Sequence, residues 1–268
     1  EITSLDDLIE LGKMYDPEIK VRYNIDLEKL SNLVKPLEKL MLMIGLNNIK
    51  ESIVGHMTYY LANLEEETDD MMHTVITGPP GVGKTQLGKI LGDIYYNLGI
   101  LKGNNSRKRD RYSKNVNHGY IFKIIKRSDL IGKYLGHTAV KTQKVIDSCE
   151  GGVLFIDEAY SLGNPEGRDS FSKECIDTIN QNLTEKKSNF LCIIAGYKDA
   201  LEKCFFSYNE GLNRRFTFRY NIEPYIAEEL RDIFLCKLRE IKWDIKSPET
   251  VPLSFFKDNY KSFKNYGG

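Results

Sequence analysis

One feature constrains the fold of this chain more than any other, the glycine-rich run Gly78-Pro79-Pro80-Gly81-Val82-Gly83-Lys84-Thr85. It follows a short run of β-forming residues at 73–77 and precedes an amphipathic helical pattern from Gln86 to Leu98. A strand, a loop and a helix in this order are the context in which the pattern forms a phosphate-binding P-loop. We therefore predict an α/β protein that binds a nucleotide through this loop; a glycine turn beside a chance lysine is the alternative.

The loop and the start of the helix contain the groups that hold phosphate in such a site. Glycine lets backbone N–H groups turn towards phosphate oxygens, and the helix N-terminus adds partial positive charge at the same place. Lys84 is expected to reach the β- and γ-phosphates, and the Thr85 hydroxyl is expected to bind Mg²⁺. Residues 78–86, with Gln86 as the last, are therefore predicted to bind the nucleotide, and Lys84 is also assigned to catalysis.

Two adjacent carboxylates, Asp157 and Glu158, follow the wholly apolar run Val153-Leu154-Phe155-Ile156. Such a run is typical of a buried parallel strand, and these strands end at the ligand crevice of an open α/β sheet. Asp157 is predicted to bind the Mg²⁺ together with Thr85, and Glu158 to polarise a water molecule that attacks the γ-phosphate. The alternative is a strand that ends in solvent-exposed acids.

The rest of the chain alternates between strand and helix patterns, which predicts a parallel sheet covered by helices on both faces. We expect residues 1–40 to form a helical segment or linker, 41–222 the large α/β nucleotide-binding domain, and 223–268 a helical region. Pro36 is expected in the first turn of a helix that runs to about Ile44, where Gly45 breaks it.

The overall charge and hydropathy narrow the class of protein. The chain has 38 basic and 38 acidic residues, and a formal charge of zero does not favour a general nucleic-acid or anionic-membrane binder. The five cysteines are scattered without metal-ligand spacing, which indicates reduced thiols in an intracellular protein. No apolar run reaches membrane-spanning length and no signal peptide is visible, so we expect a cytoplasmic protein without a membrane partner. Frequent Asn, Lys, Ile and Tyr indicate an AT-rich coding genome, such as that of a protist or of a large DNA virus in the host cytoplasm.

These motifs and several others together resemble the CbxX/CfxQ-type AAA+ ATPases, the group of the red-type Rubisco activases and of sporulation-type relatives. Besides the P-loop, the runs that carry the similarity are SDLIGKYLGHTAVKT at 128–142, GGVLFIDEAYSL at 151–162, AGYKD at 195–199 and GLNRRF at 211–216. The resemblance implies a P-loop NTPase sheet of the AAA+ type, followed by a small helical lid domain. Residues 223–268 would be the beginning of that lid, and its remainder would follow Gly268.

The resemblance also implies a ring, usually a homohexamer, with ATP bound between neighbouring subunits. Tyr134 matches the aromatic residue of the first pore loop, which grips an extended polypeptide in the central channel. Gly132 and Gly136 on either side suit a mobile exposed loop. From the local residues alone, a half-buried tyrosine in a surface turn is an equal alternative.

Further site positions follow from the same resemblance. Arg215 matches the arginine finger, which adds positive charge at the γ-phosphate of the neighbouring subunit, and the adjacent Arg214 is the alternative. Gly45 lies in the segment that usually packs near the adenine. Tyr197 follows the fourth core strand, where many AAA+ proteins place a polar residue that orients the attacking water. From the residues alone, a salt-bridged or solvated arginine pair is the other interpretation of Arg214 and Arg215.

These features predict an ATP hydrolase that uses ATP and Mg²⁺ to remodel or thread a protein substrate. A nucleotide-gated assembly scaffold with incidental hydrolysis is a second hypothesis, because Tyr197 is a weak water-orienting residue. A DNA-acting AAA+ protein is a third, because basic residues are frequent at 102–114.

Overall fold

The structure is a computed structural model that describes residues 2–18, 23–62, 64, 71–103, 119–134, 136–166, 169–187, 189–243 and 251–265. The basic stretch at 102–114, apart from its first two residues, lies outside the described residues. Among the described helices, none combines the length and the apolar character that a membrane span needs.

The centre of the fold, within the described ranges, is a five-stranded parallel sheet in the spatial order β2-β3-β4-β1-β5. The strands are β1 (Thr74–Thr77), β2 (Phe122–Ile125), β3 (Gly152–Ile156), β4 (Phe190–Gly196) and β5 (Phe218–Asn221). Because every pairing is parallel, the carboxyl ends of the strands lie at one edge of the sheet. The predicted parallel sheet is confirmed, although the sequence patterns did not identify β5.

The helices before the P-loop are α1 (Leu5–Lys13), α2 (Leu27–Met41) and α3 (Asn47–Leu61), and α4 (Lys84–Asn97) follows the loop. Two helices, α5 (Arg127–Leu130) and α6 (His137–Asp147), lie between β2 and β3. A 3-10 turn (Ala159–Leu162) and α7 (Ser170–Glu185) lie between β3 and β4. The later elements are α8 (Lys198–Cys204), a second 3-10 turn (Phe206–Tyr208), α9 (Gly211–Arg215), α10 (Ala227–Glu240) and α11 (Leu253–Asn265).

The two faces of the sheet bury different side chains, as the alternation along a strand requires. In β3, Val153 and Phe155 belong to the core that includes residues of α1 to α4. Leu154 and Ile156 belong to the core that includes residues of α6 and α7. All four side chains are fully buried, so helices cover both faces of the sheet as predicted.

The first helices pack on the nucleotide-binding domain through α4. Leu37 of α2 and Leu91 of α4 belong to one hydrophobic core. Lys39 of α2 also forms a 2.9 Å ion pair with Asp93 of α4, whose side chain is only 8% exposed. The helical segment at 1–40 therefore shares a core with the sheet.

Pro36 lies in the interior of α2, so the expectation that it begins a later helix is wrong. An interior proline removes one backbone hydrogen bond and costs about 3 kcal/mol or more. The buried residues of α2 occur on both sides of it: Leu30, Leu33, Leu37 and Leu40. Burial of one continuous apolar face thus offsets the cost and keeps the helix intact.

The register of the sheet determines which segments meet at its carboxyl edge. Thr77, the last residue of β1, pairs with Gly196 at the end of β4, and the Gly78 N–H donates to the Gly196 carbonyl at 3.2 Å. β3 lies on the other side of β4. The P-loop, Asp157 and Tyr197 therefore follow neighbouring strands at the same edge.

Candidate functional site

A cavity of about 470 Å³ opens at the carboxyl edge of the sheet, beside the N-terminus of α4. Its volume lies within the range of roughly 300–1,000 Å³ that is usual for small-molecule sites. The residues that line it are Pro80, Gly81, Gly83, Lys84, Thr85, Gln86, Lys89, Asp157, Glu158, Tyr160, Gly196 and Tyr197. The cavity thus brings together most of the predicted phosphate loop and both predicted carboxylates.

Three glycines give the P-loop its shape. The φ angles are 151° at Gly78, 77° at Gly81 and 88° at Gly83, which glycine adopts readily and other residues do not. A Cβ atom on Gly78 would also lie 2.6 Å from the carbonyl oxygen of Ile222. The backbone of the loop therefore depends on glycine, as expected for a loop whose N–H groups bind a ligand.

Lys84 begins α4, and its side chain bends back over the loop. Its Nζ atom donates to the carbonyl oxygens of Gly78 at 2.9 Å and of Pro79 at 2.6 Å. Partial burial lowers the pKa of Lys84, while Asp157 and Glu158 act in the opposite direction. The ammonium group therefore lies within electrostatic reach of both carboxylates, at the place where an anionic ligand would neutralise it.

The carboxylates Asp157 and Glu158 follow β3 in an unusual backbone conformation. Glu158 has a φ of 51°, in the left-handed region that non-glycine residues seldom occupy. Its N–H donates to Oδ1 of Asp157 at 3.1 Å, and its carbonyl accepts a 2.8 Å hydrogen bond from the Ser161 N–H. Strain of this kind persists at functional sites where surrounding contacts enforce it.

Two tyrosines lie beside the carboxylates. The Tyr197 ring centroid is 5.9 Å from Nζ of Lys84 and 5.6 Å from the ring centroid of Tyr160. Burial, together with the charge of Glu158, raises the pKa of Tyr160 to about 12. The Tyr160 hydroxyl is therefore protonated at neutral pH and can donate a hydrogen bond in the cavity.

Three of the lining residues were not assigned to the site from the sequence: Gly196, which ends β4, and the side chains of Lys89 and Tyr160. Lys89 lies four residues after Thr85 on α4, and residues with this spacing share one face of a helix. Tyr160 lies two residues after Glu158, in the 3-10 turn. These spacings are the signals by which the sequence could have identified Lys89 and Tyr160.

A hydrogen bond joins the P-loop to the segment before α10. The Tyr225 hydroxyl donates to the Val82 carbonyl at 2.9 Å. A Cβ atom on Gly83 would lie 3.2 Å from Cε of Met43 and 3.8 Å from the Tyr225 hydroxyl oxygen. The P-loop, the chain after α2 and the start of the C-terminal helices therefore meet at this point.

Gly45 is not among the residues that line the cavity. It turns the chain between α2 and α3 with a φ of 71°, and Leu46 follows with a φ of 61°. A Cβ atom on Gly45 would lie 2.5 Å from Oε1 of Glu229 in α10. The structure thus places Gly45 against the C-terminal helices, close to Met43.

Tyr134 lies outside the cavity, in the loop between α5 and α6. Its side chain is 67% exposed, and its ring contacts His137 with a centroid separation of 5.5 Å. Nζ of Lys141 donates to the carbonyls of Ser128 at 2.6 Å and Ile131 at 2.9 Å, which anchors the start of the loop. The Tyr134 ring is therefore accessible to solvent, on a loop whose start is held by hydrogen bonds.

Arg214 and Arg215 lie at the end of α9 and do not line the cavity of their own chain. Nε of Arg215 donates to the Thr184 hydroxyl at 2.8 Å, and its Nη1 donates to the Gly211 carbonyl at 2.9 Å. Arg214 is exposed. Neither guanidinium therefore contributes to the cavity of its own chain.

The residues at the cavity fit a nucleoside triphosphate with Mg²⁺. The Thr85 hydroxyl and the Asp157 carboxylate line the same space, and oxygen atoms of this kind are the ligands that Mg²⁺ prefers. Lys84 and the N-terminus of α4 supply positive charge for phosphate groups. Three predicted loop residues, Gly78, Pro79 and Val82, support the loop through their carbonyls and do not line the cavity.

The comparisons with known proteins agree with this geometry. The model of the ATPase family associated with various cellular activities (AAA) matches residues 74–224. The crystal structure of the FIGL-1 AAA domain in complex with ADP has a TM-score of 0.50 to this chain at 19% sequence identity. The match covers 74% of this chain and 60% of that one. This likeness establishes the fold.

Sequence relatives extend the match along the chain. A cfxQ-like protein of Acanthamoeba polyphaga mimivirus is 45% identical over 266 residues, which are 98% of this chain and 62% of that protein. The chloroplastic ribulose bisphosphate carboxylase/oxygenase activase of Cyanidioschyzon merolae is 35% identical over 178 residues, 66% of this chain and 55% of that protein. The chain spans less than two thirds of the length of both relatives. Because the family model covers more than half of the chain and the cfxQ-like protein matches nearly all of it, the chain belongs to the AAA ATPase family as a CfxQ-like member.

Proposed function

We propose that this chain is the ATP-hydrolysing unit of a ring-shaped AAA+ motor that remodels or threads a protein substrate. The observation that carries the proposal is that Lys84, Thr85, Asp157 and Glu158 line the same cavity. A phosphate-binding lysine, a hydroxyl and a carboxylate for Mg²⁺, and a second carboxylate for water are the groups that hydrolysis of ATP needs.

Positive charge and backbone donors would bind the phosphates of ATP. Nζ of Lys84, which donates to two loop carbonyls, would exchange these partners for β- and γ-phosphate oxygens. The first N–H groups of α4 have no acceptor within the helix and are available to the same oxygens. Thr85 and Asp157 would hold Mg²⁺, whose charge would stabilise the charge that develops on the phosphate oxygens.

Glu158 would act as the general base. Its carboxylate would accept a proton from the water that attacks the γ-phosphate, a contribution of about 10²- to 10⁴-fold in rate. The left-handed backbone at Glu158 and the hydrogen bond from Ser161 give the residue a defined position. Tyr197, beside Lys84, is our candidate for orienting the water.

The arginines of α9 support a ring with shared sites. We propose that Arg215, or Arg214 next to it, reaches the γ-phosphate bound by the neighbouring subunit and stabilises the transition state. Neither arginine lines the cavity of its own chain, which supports a role at the site of a second subunit. A homohexamer is the assembly that the family resemblance favours.

Tyr134 is the residue that we assign to the protein substrate. Its exposed ring would grip an extended polypeptide in the channel of the ring. The name of one relative, an activase of ribulose bisphosphate carboxylase/oxygenase, supports a protein client, since an activase acts on another protein. We place the activity in the cytoplasm, and the 45% identity to a mimivirus protein supports the case of a viral protein in the host cytoplasm.

The first test measures nucleotide binding and assembly. A fluorescent ADP analogue should bind the wild-type protein, and Lys84→Ala should abolish that binding because the phosphates lose their cation. Lys173→Ala, which removes an exposed lysine of α7, is the matched control and should bind like the wild type. Mass photometry with ATP should show a ring-sized assembly. Equal binding by wild type and Lys84→Ala would refute the proposed site.

A nucleotide-gated scaffold is the second candidate, because β4 ends at Gly196 and is followed by Tyr197, which offers no amide side chain to orient water. In that case Glu158→Gln would support the cellular function while Lys84→Ala would not. A motor requires both residues. Comparison of the two variants in one functional assay therefore separates the hypotheses.

A further inference from the structure

Arg127, a residue to which the motifs assign no role, makes a dense set of contacts close to the cavity. Its Nη1 donates to the carbonyl oxygens of Ser161 at 2.6 Å and Leu162 at 2.8 Å, and to the Ser172 hydroxyl at 3.2 Å. Its Nη2 forms a 2.8 Å ion pair with Asp169. The forked shape of a guanidinium makes such a multiple contact possible, and a lysine could not reproduce it.

The carbonyls of Ser161 and Leu162, which accept hydrogen bonds from Arg127, belong to the 3-10 turn that follows Glu158. Within this turn the Ser161 N–H donates to the Glu158 carbonyl, so the turn continues the strained backbone at Glu158, where φ is 51°. A non-glycine residue keeps such an angle only where its surroundings enforce it. The guanidinium of Arg127 supplies an external anchor at the far end of the turn.

Asp169, the partner of Arg127 in the ion pair, is also held in place. Asp169 is the N-cap of α7, and its Oδ1 accepts from the Phe171 N–H at 3.0 Å. Hydrogen bonds from the Ser172 hydroxyl and from Arg127 hold the pKa of Asp169 at about 2. The carboxylate is therefore charged throughout the physiological range, so both partners of the ion pair with Arg127 carry their charges.

Arg127 also begins α5, the short helix that leads into the loop of Tyr134. Leu130, at the end of α5, is fully buried, and Lys141 holds the carbonyls of Ser128 and Ile131. One guanidinium thus connects the base of the Tyr134 loop to the turn after Glu158.

We propose that Arg127 is a positioning residue that holds the backbone after Glu158 in the conformation required for hydrolysis and ties it to the base of the Tyr134 loop. This inference rests on the proposed function, in which Glu158 activates water. Arg127 does not line the cavity, so its effect would pass through the position of Glu158.

The experiment combines amide hydrogen exchange with kinetics on the full-length protein. In Arg127→Lys, the amides of Ser161 and Gly163 should exchange about tenfold faster than in the wild type, because the turn opens locally. The kcat for ATP should fall by about tenfold or more, while the Kd for the fluorescent ADP analogue stays unchanged. In a Glu158→Gln background, Arg127→Lys should cause no further fall in kcat, which a merely structural role would not predict.

Two further variants guard against a folding defect. Asp169→Asn keeps an N-cap for α7 but removes the ion pair, so it should give exchange and kcat between those of wild type and Arg127→Lys. Lys126→Ala removes the adjacent exposed cation and should behave like the wild type.

Unchanged exchange at Ser161 and Gly163 in Arg127→Lys would overturn the inference, as would an equal loss of nucleotide binding and kcat. A wild-type protein that binds ADP without hydrolysing ATP would refute the proposed function alone, because the exchange data would still decide the role of Arg127.

Discussion

The hydroxyl of Tyr225 donates a 2.9 Å hydrogen bond to the carbonyl of Val82 and so joins the segment before α10 to the P-loop. The contact spans 143 positions of the sequence. Val82 precedes Gly83, the residue that caps α4 and lines the cavity. The C-terminal helices therefore have a direct connection to the loop that we assign to phosphate binding.

Tyr225→Phe should lower the free energy of unfolding by about 1 kcal/mol, because the Val82 carbonyl loses a partly buried donor. Urea denaturation followed by circular dichroism measures this change. Tyr23→Phe is the matched control, since the Tyr23 side chain is 50% exposed and should contribute little. Equal stability of wild type and Tyr225→Phe would show that the hydrogen bond does not support the loop.

The position of Arg215 leads to a prediction about catalysis between subunits. Two hydrogen bonds, to Thr184 and Gly211, hold its guanidinium, whereas Arg214 is exposed. A preorganised finger is the more effective one, so Arg215→Ala should lower kcat by about 10³-fold with unchanged ADP binding. Arg214→Ala should have a smaller effect.

Mixed rings test whether this arginine acts on the neighbouring subunit. Lys84→Ala and Arg215→Ala should each be inactive alone. Mixed in equal amounts, they should regain part of the activity, because some sites then combine an intact P-loop with an intact arginine. No recovery in assembled mixtures would contradict a shared site.

The exposure of Tyr134 predicts a defect confined to the substrate. Tyr134→Ala should keep nucleotide binding and basal hydrolysis, since the residue lies outside the cavity. It should lose the stimulation of hydrolysis by an unfolded polypeptide such as casein, and Tyr134→Phe should retain that stimulation because the ring is preserved. Equal stimulation of wild type and Tyr134→Ala would separate this loop from substrate binding.

His73 gives the stability of the fold a defined pH dependence. The residue is fully buried; its Nδ1 accepts from the Cys192 N–H at 3.1 Å and its Nε2 donates to the Leu183 carbonyl at 2.9 Å. Burial lowers the pKa of His73 from 6.5 to about 4. The neutral ring therefore stabilises the fold fully above pH 6.5, and this contribution is lost as the pH falls from 6.5 towards 4.

The expected loss is about 2 kcal/mol between pH 7 and pH 5. Urea denaturation at both pH values should show the difference in stability between wild type and His73→Gln shrinking by this amount. His137→Gln, a substitution at an exposed position, is the matched control. A difference between wild type and His73→Gln that does not change with pH would mean that His73 is not held neutral in the folded protein.

The candidate phosphate loop and the two carboxylates that line the same cavity can be identified from the sequence because each is a short contiguous motif next to a strand. It found β3 and β4 because strands buried on both faces read as unbroken apolar runs. The sequence patterns did not identify β5 because it is an edge strand of four residues, in which Arg219 and Asn221 alternate with Phe218 and Tyr220. A polar and apolar alternation over only four residues cannot be distinguished from a loop by its pattern.

The contacts that position the site were beyond the reach of local patterns. Arg127 meets Ser161 across 34 positions, and Tyr225 meets Val82 across 143. Only the packing of the sheet and its helices brings such pairs together. Pro36 shows the opposite case, since a strong local preference yielded to burial of the apolar face of α2.

We propose that Glu158 activates water in a site that binds ATP without its help. The most direct test of this proposal is single-turnover hydrolysis by Glu158→Gln at saturating ATP and Mg²⁺, with nucleotide binding measured on the same sample. We predict binding equal to that of the wild type and a hydrolysis rate lower by at least about 100-fold. Hydrolysis by Glu158→Gln at the wild-type rate would show that Glu158 is not the general base.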